Sequence, residues 1–179
     1  MRVNSVLLLI VFICLSLSSN ASEKGNNAGH ILVLNLVGDA APYEMDVDGF
    51  EEPATCFDVN LINAKNGKMI GTATDCLSDI VPGSNGGLEL IGTTFFYLHE
   101  GMIVTRGSTT VQEANHEIMT ASGISITHIT GAAGAENAII DGTGRFADST
   151  GTVRLSGMVS MHDGGIYFDC LFVITLTDE

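Results

Sequence analysis

The chain has 179 residues, of which 21 are Asp or Glu and only 7 are Lys or Arg, so its formal net charge is −14. A surface this acidic repels phosphate backbones and anionic lipids, which argues against binding to nucleic acid or to a membrane. Glycine is abundant at 21 residues, proline occurs three times and tryptophan is absent. This composition indicates many short strands joined by glycine turns.

The N-terminus has the pattern of a secretory signal peptide. Arg2 precedes an apolar run over 6–17, and the small residues at 18–21 allow cleavage after Ala21. The run is too short to cross a membrane as a helix. The predicted division is a signal peptide over 1–21, a disordered segment over 22–29 and a single domain over 30–179. We expect a soluble, exported protein, either secreted to the extracellular space or periplasmic, depending on the organism.

Turn residues divide the rest of the chain into short apolar segments. We predict strands over 30–37, 54–63, 68–80, 87–99, 101–112, 123–132, 151–162 and 165–176. Residues 38–53 are acidic and contain proline, which predicts a loop. No pattern predicts an amphipathic helix longer than two turns. Regular short strands with glycine between them favour an all-β barrel or sandwich.

The predicted strands are apolar on both faces. Over 87–99, Leu90 and Phe96 occupy one parity, whereas Ile91 and Phe95 occupy the other. An antiparallel sheet with one face in water alternates apolar and polar residues instead. Two apolar faces predict an apolar lumen and a covered exterior, and we expect the cover to be another copy of the chain in a homo-oligomer.

Three cysteines follow the predicted signal peptide. Between Cys56 and Cys76 lies Asn66-Gly67, a strong hairpin signal. A two-residue loop sets Cys56 opposite Leu77, and a loop one residue longer sets it opposite Cys76. Either register makes the two cysteines neighbours, so we predict a Cys56–Cys76 disulfide worth about 3 kcal/mol and a buried, free Cys170. Two buried thiols remain the alternative.

One long stretch, 139–157, leads from an apolar segment through Gly142-Thr143-Gly144-Arg145-Phe146 into a Gly-Thr-Val-Arg-Leu-Ser-Gly strand. Two further segments belong with it: 95–101, an aromatic strand that ends in Glu-Gly, and 127–131. Together they resemble the dirigent and allene oxide cyclase superfamily. The resemblance implies an eight-stranded antiparallel β-barrel, often trimeric, with one apolar lumen and no metal or organic cofactor.

The resemblance also implies two activities. Dirigent proteins steer stereoselective coupling or cyclisation of phenolic intermediates, and allene oxide cyclases close a fatty-acid epoxide to a cyclopentenone. Thr150 stands where dirigent proteins commonly carry arginine, and Ile31 rather than aspartate follows His30. Two hypotheses stay open. The first is a cofactor-free, isomerase-like guide for a small apolar or phenolic intermediate. The second is a non-catalytic exported barrel that binds an apolar ligand or acts as a structural or interaction protein.

Polar residues among apolar strand neighbours are the candidates for contact with a lumen ligand. Arg106 could hold a carboxylate or an oxyanion, or pair with an acidic residue at the barrel end. His128 could exchange protons in the lumen or hold a structural hydrogen bond. Tyr97 could present its hydroxyl to a ligand or serve as a core aromatic. These three residues are the pocket candidates, and no catalytic residue is assigned.

Two acidic features offer further chemistry. Asp58 and Asp75 flank the cysteines and could form an acid–base pair or accept hydrogen bonds at strand ends. Asp46 and Asp48 lie in an acidic loop that resembles a fragment of a calcium-binding loop, but Phe57 occupies the position where such a loop needs its last carboxylate. A solvated acidic loop is therefore favoured, and no metal site is predicted.

Overall fold

The computed structural model describes residues 30–84, 86–113, 123, 127–132, 138–162 and 165–177. The predicted signal peptide and the segment 22–29 lie outside the described residues. The strands in chain order are β1 (Ile31–Ala40), β2 (Tyr43–Met45), β3 (Ala54–Asn63), β4 (Met69–Pro82), β5 (Leu88–Leu98), β6 (Gly101–Glu113), β7 (Thr127–Ala132), β8 (Ile139–Gly142), β9 (Thr150–His162) and β10 (Gly165–Thr177). A 3₁₀ turn covers Gly144–Phe146. No helix in this part of the chain is long and apolar enough to cross a membrane.

The strands form one antiparallel sheet that curls into a nearly closed barrel. Its order is β1-β10-β9-β7-β6-β5-β4-β3, and β1 pairs back with β3. β8 pairs with β6 beside β7, so that β7 and β8 together occupy one position in the barrel wall. The prediction of an all-β fold with an eight-position antiparallel barrel is confirmed.

Alternate residues of each strand face the barrel interior, as the two-residue period of a strand requires. The largest members of this core are Leu34, Leu36, Phe57, Leu61, Phe96, Ile103, Phe168, Phe172 and Ile174. The ring of Phe57 packs 5.3 Å from that of Phe168, and Phe96 meets Phe172 edge to face at 5.1 Å. These contacts join β3 to β10 and β5 to β10 across the lumen, so the interior is a packed core at mid-height.

A segment that we call the strap, residues 43–53, lies on the outside of the barrel. Its first part is β2, which pairs with β3, and its Val47 is buried. Val47 forms a second apolar cluster with Cys56 and Cys76, against which Phe95 packs from β5. The sequence predicted only a loop here, because three residues are too few to show strand alternation. The strap therefore covers part of the apolar outer surface that we expect a second copy of the chain to cover. Oligomerisation stays a prediction.

The disulfide between Cys56 and Cys76 is confirmed, with the two residues directly opposite each other and their Cα atoms 4.0 Å apart. The turn over 63–68 is longer than two residues, and a 2.9 Å backbone hydrogen bond joins its ends. Gly67 adopts a left-handed φ of +66° in this turn. The loop over 64–67 has four residues, one more than the longer alternative, and a register shift between Leu61 and Ile62 sets Cys56 opposite Cys76. Cys170 is buried and free, as predicted.

Candidate ligand-binding site at one end of the barrel

Two segments of the sequence, 95–101 and 139–157, meet at one end of the barrel. The Thr143 amide donates a 2.9 Å hydrogen bond to the Met102 carbonyl, and the Thr143 hydroxyl accepts a 3.0 Å hydrogen bond from the Met102 amide. The Arg145 amide donates to the Glu100 carbonyl at 2.9 Å. The β5–β6 turn and the 3₁₀ turn thus form one hydrogen-bonded unit.

Two glycines allow these turns to approach so closely. Gly144 has a φ of +59°, and a Cβ atom there would overlap the carbonyl oxygen of Glu100. Gly101 has a φ of +147°, and a Cβ atom there would overlap the carbonyl oxygen of Thr143. A larger residue at either position would therefore force the turns apart as well as strain the backbone. The Gly-Thr-Gly pattern indicated the turn correctly, and the structure shows which backbone it contacts.

A cavity of about 550 Å³ opens at this end of the barrel. Its wall is apolar where it reaches inward, with Leu32, Leu34, Ile70, Leu98 and Phe146. Its rim is polar and consists of His30, Asn63, Lys65, His99, Glu100 and Arg145. Leu34 and Phe146 also belong to the main core, so the cavity is continuous with the packed interior. Its volume lies in the range of small-molecule binding sites.

The rim is locally positive in a strongly acidic chain. The rim contains Lys65 and Arg145, which are two of the seven Lys and Arg residues of the chain, and one carboxylate, Glu100. The formal charge of these three side chains is +1. Arg145 Nη1 donates to Glu100 Oε2 at 2.9 Å, with the two side chains 54% and 57% exposed. An ion pair this exposed contributes less than about 1 kcal/mol, because water and salt screen it. Arg145 can therefore exchange Glu100 for an incoming anion at small cost.

Arg106 lies on the outer face of β6, since its neighbour Thr105 is buried on the opposite side. Its Nε donates to the Thr93 hydroxyl at 3.0 Å, and its Nη2 donates to the Asp48 carbonyl at 2.7 Å. The guanidinium also lies 4.8 Å from the centre of the Phe50 ring. Arg106 thus fastens the strap to the barrel wall, and it does not line the cavity.

The other two pocket candidates also lie apart from the cavity. Tyr97 is 43% exposed and follows the core residue Phe96, so its side chain lies on the outer face of β5. His128 lies on β7 opposite Gln112, which is at the far end of β6 from the cavity, and its side chain is outside the described part of the chain. Contact of Tyr97 or His128 with a ligand stays a prediction.

The rim residues escaped sequence reasoning because four separate elements supply them. His30 precedes β1, Lys65 lies in the β3–β4 turn, Glu100 lies in the β5–β6 turn and Arg145 lies in the 3₁₀ turn. Nothing in the spacing of these positions predicts that they converge. A usable signal existed for Glu100 and Arg145, since both lie inside the segments 95–101 and 139–157, which stand out in the sequence.

A second polar feature lies deeper, at Asp75 in the barrel interior. Its carboxylate accepts a 2.7 Å hydrogen bond from the Thr94 hydroxyl, and the residue is 5% exposed. Burial raises the pKa of the Asp75 carboxyl to about 6, although the Thr94 hydrogen bond opposes the rise. Burial, and next the negative charge of Asp75, raise the pKa of the Cys170 thiol to about 12. Cys170 is therefore a neutral thiol near pH 7 and a poor nucleophile.

Asp58 and Asp75 do not form an acid–base pair, because they lie on opposite faces of one hairpin. The register pairs Asp58 with Thr74 and Asp75 with Phe57, which places Asp75 inside and Asp58 outside. Asp58 accepts hydrogen bonds from the Tyr43 hydroxyl at 2.9 Å and the Thr74 hydroxyl at 2.7 Å. Burial, together with the Asp58 carboxylate, raises the pKa of Tyr43. Hydrogen-bond acceptance, the second sequence-based alternative, is what the structure shows.

Within the described residues, no group of three or more His, Cys, Asp or Glu side chains is arranged to hold a metal ion. No protein-family model and no curated protein matches this chain. The cavity, its apolar wall and its positive rim are therefore the features from which a function can be inferred.

Proposed function

We propose that this protein binds a small amphipathic molecule, apolar or phenolic in its body, at the mouth of the barrel. The body would lie against Leu32, Leu98 and Phe146, and an anionic group would lie between Lys65 and Arg145. The observation that carries the proposal is the cavity itself, whose wall is apolar and whose rim is positive although the chain as a whole carries a formal charge of −14.

The cavity is large enough for useful affinity. A ligand that buries roughly 300 Å² of apolar surface gains about 7 kcal/mol from the hydrophobic effect. The lost freedom of the ligand offsets a large part of this gain. Hydrogen bonds to a charged group contribute on the order of 1.5–3 kcal/mol each. Dissociation constants in the micromolar range are therefore the expected scale.

The meeting of the two resemblance segments at the mouth favours a second candidate, a dirigent-like or cyclase-like guide. In this role an exported barrel would hold a small apolar or phenolic intermediate in one conformation, so that its shape selects the product without a cofactor. Contact between copies belongs to this candidate as well. Tyr167 and Leu171 leave apolar surface on the outer face of β10, which suits such a contact.

Binding without catalysis is the better supported of the two candidates. All five titratable side chains of the rim are exposed: His30, Lys65, His99, Glu100 and Arg145. An acid or base that works on a bound intermediate is generally enclosed with it, away from bulk water. Asp75 is buried, but it does not line the cavity.

Two fluorescent probes with the same apolar body test the binding proposal. Anilinonaphthalenesulfonate carries a permanent negative charge, and N-phenylnaphthylamine is uncharged. We expect both to bind with one site per chain, and the sulfonate to bind more tightly. The double variant Lys65→Gln with Arg145→Gln should weaken the sulfonate by about tenfold or more, which is about 1.4 kcal/mol, and leave the neutral probe unchanged.

Arg154→Gln is the matched control, because it removes an exposed arginine on the outer face of β9. It should leave the affinity for both probes unchanged. Failure of both probes to bind would refute the proposal, and equal affinities that the double variant does not alter would refute the anionic group. For the second candidate, phenolic radicals and fatty-acid epoxides are offered to the protein. Products with the same stereochemistry as in the protein-free reaction would rule out guidance.

A further inference from the structure

Two of the five histidines of the chain stand at the rim of the cavity. His30 directly precedes β1, and its carbonyl accepts a 2.9 Å hydrogen bond from the Leu176 amide of β10. His99 lies in the β5–β6 turn, beside the residue whose carbonyl accepts the Arg145 amide. Both imidazoles are exposed, and each histidine lies at or next to a residue whose carbonyl accepts a backbone hydrogen bond.

Protonation of these histidines changes the charge of the rim substantially. The other charged side chains that line the cavity in the described part of the chain are Lys65, Glu100 and Arg145. Their formal charges leave the rim at +1 when both imidazoles are neutral and bring it to +3 when both are protonated. Histidine is the side chain that ordinarily changes its charge between about pH 5 and 8.

We propose that His30 and His99 make the binding of an anionic ligand pH-dependent, so that the mouth holds the ligand more tightly in acid and releases it near neutral or alkaline pH. The inference rests on the proposed binding function and adds its regulation. In this proposal the two imidazoles supply positive charge to the rim, which an apolar ligand without a charged group would not need.

The size of the effect follows from the exposure of the rim. An imidazolium about 6 Å from an anion in water strengthens binding on the order of threefold. Two of them acting together give about tenfold, which corresponds to about 1.4 kcal/mol. Carboxylates elsewhere on the chain also take up protons in acid and strengthen anion binding, so a variant comparison must separate the two contributions.

The test uses the same pair of probes, because the sulfonate stays charged and only the protein titrates. Dissociation constants are measured at about pH 5, 6.5 and 8 at constant ionic strength, which span the range over which histidine ordinarily changes its charge. We expect the wild type to bind the sulfonate about tenfold more tightly at the lowest pH than at the highest. The double variant His30→Gln with His99→Gln should lose most of this change, and N-phenylnaphthylamine should show little.

Arg154→Gln is again the control, because it removes an exposed cation on the outer face of β9 that does not line the cavity. It should keep the wild-type pH dependence, and circular dichroism verifies that each variant is folded. A pH dependence that persists in the double variant would overturn the inference while leaving the binding function intact. A failure of both probes to bind at every pH would overturn the binding function and the inference together.

Discussion

Replacing Asp75 by asparagine should change how the stability of the barrel depends on pH. Burial raises the pKa of this carboxyl from 3.8 to about 6 in the folded protein, against the opposing hydrogen bond from Thr94. Unfolding returns the group to water, where its pKa falls back to the ordinary value of aspartate. Between these two values the folded protein holds a proton that the unfolded chain has released.

The sign of the effect follows from proton linkage. Because the folded state binds more protons between about pH 4 and 6, the free energy of unfolding falls as the pH rises through that window. The rise of the Asp75 pKa from 3.8 to about 6 corresponds to about 3 kcal/mol. The contribution of the Asp75 carboxyl to the free energy of unfolding is fully present below about pH 4 and is lost above about pH 6. The amide of the Asp75→Asn variant does not titrate, so the variant lacks this loss.

Urea unfolding followed by circular dichroism measures the effect, since the chain has no tryptophan. The measured quantity is the free energy of unfolding of the variant minus that of the wild type. This difference should rise by about 3 kcal/mol between about pH 4 and 7.5, or roughly 6–12 °C in melting temperature. Asp148→Asn is the control for the change from carboxylate to amide, because Asp148 is exposed on the surface of the barrel.

The free energies of unfolding of Asp75→Asn and of the wild type can also differ by an amount that does not depend on pH. Such a constant offset arises because the amide hydrogen-bonds the Thr94 hydroxyl better or worse than the carboxyl does. The change in that offset with pH is what depends on burial. An offset of equal size at about pH 4 and 7.5 would mean that Asp75 ionises in the barrel as easily as in the unfolded chain. The placement of Asp75 in the interior would then be wrong.

Two further substitutions test the strap and the mouth. Arg106→Ala removes hydrogen bonds to Asp48 and Thr93 and should lower the free energy of unfolding by about 2–3 kcal/mol in urea titrations, with faster proteolysis of the strap and unchanged probe binding. Arg154→Ala should change neither the free energy of unfolding nor the rate of proteolysis of the strap. An Arg106→Ala protein as stable as the wild type would contradict the contact between Arg106 and the strap. Gly144→Ala should cost more than about 3 kcal/mol, since both backbone strain and the Glu100 carbonyl oppose it, whereas Gly67→Ala, with a similar φ but open space around it, should cost about 1 kcal/mol. Equal losses for the two glycines would refute the close contact at the mouth.

Strand positions and the disulfide could be predicted because they depend on local patterns. Glycine turns bounded the strands, and the hairpin at Asn66-Gly67 made Cys56 and Cys76 neighbours in either register. The prediction over 123–132 is confirmed for β7, while 124–126 lie outside the described residues. β2 and β8 are three and four residues long, so neither shows enough alternation to be identified from sequence.

The inside and outside of the barrel could not be assigned from the sequence. On β5, Phe95 packs beneath the strap and Phe96 lies in the core. Both alternating sets of residues on this strand are therefore apolar, and the sequence alone does not show which set faces the interior. Which parity faces inward depends on the closure of β1 against β3, a contact between segments far apart in the chain. The apolar strand neighbours of Arg106 and Tyr97 predict contact with the lumen, but the structure places both residues on the outer face of the barrel. The residues of the rim come together through the same pairing of β1 with β3.

Closure itself depends on a narrow seam. Only the pairs from Leu34↔Asn63 to Val37↔Asn60 join β1 to β3, whereas β9 and β10 pair along their full lengths. The disulfide links β3 to β4 and leaves this seam without a covalent restraint. Asn35 Oδ1 is buried there without a hydrogen-bond partner among the described residues, so opening the seam would hydrate it. We therefore expect the barrel to open first along β1–β3 into a curved sheet. The amides of Asn35 and Val37, which the alternation of the strand directs toward β3, should then exchange their hydrogens faster than those of the β9–β10 ladder.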